Sequence, residues 1–145
     1  MCPTLERHER WRGQDEGVRF AVELHGHSLI EQIETAFTIL ELAPGLGFTL
    51  DPSHFVCMEI PMARVAEIRE HLYHVHLRNG KPGNFNVPMS EGNVDFAELK
   101  RMLSDVGYKG YAAIEYISTL DLNVTPDILE LRSVWNEAGG TIARP

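Results

Sequence analysis

Tyr73-His74-Val75-His76-Leu77 (YHVHL) reads as a short buried strand, with Arg78-Asn79 following at its carboxyl end. Side chains alternate across a strand, so His74 and His76 share one face and Val75 takes the other. One imidazole then sits deeper and the other nearer the mouth. Three more runs share this design: RFAVEL (Arg19 to Leu24), GFTLD (Gly47 to Asp51) and YAAIEY (Tyr111 to Tyr116). Each carries acid or imidazole groups at or just past its end. These are Glu23-Leu24-His25-Gly26-His27, Asp51-Pro52-Ser53-His54 and Glu115-Tyr116.

Helical spacing fills the gaps between these runs. Leu29, Ile33, Phe37 and Leu40 form an apolar stripe with Ser28 as its N-cap. Val65, Ile68 and Leu72 repeat the pattern after Pro61, a residue suited to a helix start. Phe96, Leu99, Met102, Leu103 and Val106 do so again, capped by Asp95 and stopped at Gly107. A last helix opens at Thr125-Pro126 and ends near Gly139-Gly140. The order is βα four times over. Parallel neighbours need a long crossover, which a helix supplies, so the pattern predicts an α/β domain with a parallel sheet. Four units are too few for a (β/α)8 barrel, which takes about 250 residues. They make either a small doubly wound sheet or half a barrel with two open edges to cover. Residues 1–17 form a charged segment with a partial helix, and residues 18–145 the (βα)4 domain. Asn79 to Asn93 is a long loop rich in Gly, Asn and Pro, of a length that is usually functional or mobile.

Composition narrows the function. The chain has 145 residues, 21 acidic against 13 basic, and a formal charge of −8. Duplex binding draws on clustered Lys and Arg, so nucleic acid is not the expected partner. No apolar run reaches the roughly 18–20 residues of a membrane span, and the charged start lacks the apolar stretch of a secretory signal. Two cysteines, Cys2 and Cys57, do not make a disulfide framework and fit a reducing cytoplasm. Cys57 has no partner that marks a nucleophile and is expected in the core. No Gly-x-Ser-x-Gly elbow supports a serine hydrolase. Gly80 to Gly83 lacks the Lys-Ser/Thr of a phosphate loop.

In parallel α/β folds the carboxyl ends of the strands face a shared crevice. Glu23, Asp51, His76 and Glu115 would meet there as an oxygen and nitrogen donor set. Such a set suits Mn²⁺, Mg²⁺ or Co²⁺, and admits Zn²⁺. Three carboxylates would repel one another without a cation. A single Glu at a strand end is ordinarily just solvated, and a single strand His ordinarily packed and hydrogen-bonded. The metal expectation rests on recurrence at all four strands.

The stretches VELHG, GFTLDPSHF, YHVHLRN, SEGNVDF and GYKGYAAIEY, with successive ligand positions separated by 28, 25 and 39, resemble the C-terminal half of the xylose isomerase-like TIM barrels. The resemblance is to their sugar-phosphate isomerase/epimerase group. It implies half of a (β/α)8 barrel and a divalent metal, Mn²⁺ first, held by Glu23, Asp51, His76 and Glu115. Glu23 and Glu115 would be the acid/base pair of an enediolate mechanism. His54 would contact a substrate oxygen, with His25 and Arg78 as further substrate contacts. Glu91, in Ser90-Glu91-Gly92, would close its loop. The implied partner is a small carbohydrate or polyol, and a homodimer would complete a pseudo-barrel. The first four βα units of the family are absent. A half-barrel that binds metal without turnover and a dehydratase of the same fold stand as alternatives. An endonuclease IV type of DNA repair enzyme is disfavoured by the acidic charge and the smaller ligand set.

Overall fold

The computed structural model describes residues 17–119 and 122–138. The expected N-terminal partial helix and Cys2 lie outside the described residues. Four strands, β1 (Ala21–Leu24), β2 (Gly47–Leu50), β3 (Leu72–Leu77) and β4 (Ala112–Ile114), form one sheet. They run in the order β1-β2-β3-β4, and every pair is parallel. Between and after them lie α1 (Ile33–Leu42), α2 (Pro52–Cys57), α3 (Met62–Val65), α4 (Phe96–Asp105) and α5 (Thr125–Glu137).

The sheet is covered on one face. Leu24, Phe48, Leu50, Val75 and Leu77 are each at most 1% exposed. They share one core with Ile33 and Ala36 of α1, Leu99 and Leu103 of α4, and Leu131 of α5. Burying each such side chain fully contributes about 1.5–3 kcal/mol. Alternation sends Glu23, Thr49, His74 and His76 to the other face, where Ala21 and Ala113 are exposed at the two edges. Parallel sheets ordinarily have both faces buried. This one presents a polar, half-open inner face, as a barrel interior does when cut along its axis.

Asp95 caps α4 as expected, accepting from the Glu98 N–H at 2.7 Å, and Gly107 ends the turn at φ +65°. Gly47 has a packing reason: a Cβ there would lie 2.3 Å from the Tyr73 ring.

Three expectations need correcting. The first helix starts at Ile33 rather than at Ser28, because Gln32 is still extended. Ser28 instead ties a turn, donating to the His25 carbonyl at 2.6 Å and accepting from the Ile30 N–H at 3.2 Å. Leu29 is 92% exposed, and the buried positions are Ile33 and Ala36. The Val65-Ile68-Leu72 stripe is no single helix. It divides among α3, a 3₁₀ helix over Ala66–His71 and the first residue of β3. Cys57 is only half-buried, at the end of α2, a helix the strand-end reading of Asp51-Pro52-Ser53-His54 left out.

Asn79 makes three of the hydrogen bonds that tie down the Asn79–Asn93 loop. Asn79 Oδ1 accepts from the N–H groups of Gly80 at 3.0 Å and Val94 at 3.1 Å, and its Nδ2 donates to the Met89 carbonyl at 3.1 Å. Gly92 is required because a Cβ there would lie 2.0 Å from the Asn79 amide. Glu91 pairs with Lys81 Nζ at 2.7 Å, spanning the loop.

Candidate metal centre

Glu23, His76 and Glu115 come together from β1, β3 and the end of β4. His76 Nδ1 lies 3.0 Å from Glu23 Oε1 and 2.9 Å from Glu115 Oε2. One donor atom from each residue lies within 4.8 Å of the others. Two carboxylates converge on one ring nitrogen, a contact that needs a proton on Nδ1 to serve both. Bringing two like charges this close favours any cation that can replace that proton.

Asp51 follows directly after β2 and is the N-cap of α2. Its Oδ1 accepts from the Ser53 N–H at 2.9 Å and the Ser53 hydroxyl at 2.6 Å. Its Oδ2 is ion-paired to the Arg78 guanidinium. Arg78 also donates from Nε to Ser53 Oγ at 3.2 Å, and its terminal nitrogen lies 3.2 Å from His54 Nε2 and 3.9 Å from Glu115 Oε2. Asp51, His54 and Arg78 are 0%, 1% and 3% exposed. Burial pushes the Asp51 carboxyl above its usual range, and Arg78 and Ser53 pull it back in part. Burial, with His25 and Arg78 nearby, lowers His54 to about 4. His54 is therefore neutral, and its Nε2 can accept from Arg78.

The four expected ligands do not form one tight quartet. They fall into two trios that share Glu23: Glu23 with His76 and Glu115, and Glu23 with Asp51 and His54. The expected substrate contacts are also drawn in. His25 packs against His54 with ring centroids 4.1 Å apart and the rings tilted by 44°, and Arg78 contacts both trios. His74 sits edge-on to His76 at 5.0 Å, and burial lowers its pKa.

The sequence reasoning missed two residues. Phe85 packs 4.7 Å from the His54 ring, and the Arg78 guanidinium lies 5.0 Å from its centroid. It is the one aromatic side chain in the polar Asn79–Asn93 loop, and that was the available signal. Ser53 orients the Asp51 carboxylate; its place in a cap two residues after an Asp marked it.

The donor set fits a hard or borderline divalent cation, since it offers carboxylate oxygens and imidazole nitrogens with no thiolate. A parallel βα sheet with acids and imidazoles gathered at its strand ends is the layout of an α/β-barrel domain. The chain belongs to the xylose isomerase-like TIM barrel family, matching it over residues 10–136. No curated protein matches it. Among solved structures it is similar to the apo form of 3-keto-D-glucoside 4-epimerase, YcjR, from E. coli, at 21% identity and a TM-score of 0.64, covering 83% of this chain and 48% of that one. It is also similar to a xylose isomerase-like TIM barrel protein from Mycobacterium smegmatis in complex with magnesium, at 17% identity and a TM-score of 0.65, covering 86% and 46%. A third is AsbF from Bacillus anthracis, a probable 3-DHS dehydratase involved in petrobactin synthesis, at 19% identity and a TM-score of 0.63, covering 85% and 51%. The chain thus spans about half the length of these structures. Among the described residues, no helix is long and apolar enough to cross a membrane.

Proposed function

We propose that this chain is the metal-carrying half of a divalent-metal-dependent sugar isomerase or epimerase that works through an enediolate in the cytoplasm. The observation that carries this is the meeting of Glu23, His76 and Glu115 donor atoms from three strands. Asp51 completes the set, and Mn²⁺ is the preferred ion. When bound, the cation would supply Lewis-acid polarisation of adjacent oxygens on an open-chain sugar. Glu23 of β1 and Glu115, just past β4, both reach His76 of β3, so one takes a carbon-bound proton and the other returns it. His54, neutral and buried, presents a ring nitrogen that orients a substrate hydroxyl through water. His25 and Phe85 pack against that ring at tilted angles.

The family relationship and an epimerase among the structural neighbours support this class. The pocket itself needs a second wall. We assign that wall to a second copy, because both sheet edges carry exposed apolar side chains: Val18 and Phe20 beside β1, Tyr111 and Ile117 beside β4. Two half-barrels joined about a two-fold axis would cover these edges and close the inner face.

The test is a ketose epimerisation screen of the Mn²⁺-loaded protein beside Glu23→Gln and Glu115→Gln. The proposal expects metal-dependent turnover by the parent, with each variant reduced about 100-fold or more. Metal binding with no turnover on any ketose would replace it with a half-barrel that binds metal without catalysis. Water elimination from a polyol or keto acid would instead mark a dehydratase.

A further inference from the structure

Arg78 stands two residues beyond His76 and by alternation faces the same side of the sheet. Its guanidinium is buried and holds the carboxylate oxygen of Asp51 that Ser53 leaves free. It also reaches Ser53, His54 and Glu115. These are the contacts of a cation placed among the metal-site residues. We propose that Arg78 is a built-in counter-cation that competes with the divalent metal for Asp51, so that the metal binds only when the guanidinium swings away. The inference rests on the metal-centre assignment above.

The physical reason is charge. Asp51 is buried, and an ionised carboxylate in that setting needs a cation against it. Before metal binds, Arg78 fills that need. A divalent ion on Asp51 Oδ2 would meet the guanidinium at contact distance, and like charges exclude one another there. Phe85 offers a landing place, since its ring already lies beneath the guanidinium and binds a cation by its face. The freed side chain is then available to a substrate oxygen, which imposes an order: metal first, substrate second. Arg78 is accordingly a positioning residue.

The sign of one effect separates this role from a structural one. Loss of a supporting residue weakens metal binding, whereas loss of a competitor strengthens it. The experiment titrates Mn²⁺ into the chelator-stripped full chain by calorimetry, for the parent, Arg78→Met and Arg78→Lys. About tenfold tighter binding by Arg78→Met is expected, with Arg78→Lys between it and the parent, since Lys keeps the charge but not the forked geometry. Titration of the parent with diamagnetic Mg²⁺ is expected to shift the Arg78 Nε–H resonance as its bond to Ser53 breaks. Unchanged or weaker binding by both variants, with the parent binding, would overturn the competition and leave the metal centre standing. Absence of binding by the parent and both variants would overturn the metal centre and the competition together. Should Arg78→Met fail to fold, Arg78→Lys carries the test: tighter than the parent supports the competition, equal or weaker overturns it.

Discussion

His54 shows how a buried side chain converts environment into pH dependence. It is held neutral at 1% exposure between His25 and Arg78, with its pKa lowered from 6.5 to about 4. As pH falls, the unfolded chain takes up the proton first. The stability that His54 contributes is therefore present above about pH 6.5 and lost as pH falls towards about 4. Thermal midpoints of the chelated protein should fall across that window, and His54→Gln should flatten the slope between about pH 6.5 and 5; an unchanged slope would contradict the assignment. At residue scale the sequence marks Glu23, Asp51, His76 and Glu115, each at or near the end of a strand-like run, because strand ends in parallel sheets share one crevice; the structure brings Glu23, His76 and Glu115 together. The pairing of Asp51 with Arg78 could not be picked out, because they lie 27 residues apart and only the β2–β3 register brings them into contact. Phe85 escaped for a like reason: a loop aromatic acquires meaning only when the loop folds back on His54.

At the scale of elements, α4 was legible because its stripe, cap and stop all agree. Removing the cap with Asp95→Ala should cost about 0.5–2 kcal/mol in urea unfolding, and a change well below that would show the cap to be idle. The first helix was misplaced because Leu29 fits the stripe by spacing alone, while residues 26–32 run through turns and bends, one of them tied by Ser28, before the helix opens after Gln32. Tertiary geometry overrode periodicity there. The Asn79–Asn93 loop proved ordered, with Asn79 as its pin. Asn79→Ala strands two backbone donors and one carbonyl, so it should cost about 1–3 kcal/mol and speed proteolysis within 79–93. Equal cleavage rates in parent and variant would show that the loop is held by other contacts.

The whole molecule has one finished side and one unfinished side. Helices and an aliphatic core cover the outer face of the sheet, while among the described residues its inner face is polar and half-open and both edges carry exposed apolar side chains. A chain of 16.4 kDa should therefore sediment at twice that mass, and Phe20→Glu with Tyr111→Glu should return it to the monomer. A parent that sediments as a monomer would contradict the two-copy barrel. The parallel fold was legible from the βα order, but that order fits a doubly wound sheet as well as a half-barrel. The resemblance to the xylose isomerase-like barrels chose the half-barrel, and the one-sided burial of the sheet agrees with it. The central claim is that this half-barrel carries a divalent-metal centre, and calorimetric titration of Mn²⁺ into chelator-stripped protein tests it most directly. One ion per chain is predicted, bound about tenfold or more weakly in both His76→Ala and Glu115→Gln. No heat of binding by the parent, or affinity equal to the parent's in both variants, would contradict it.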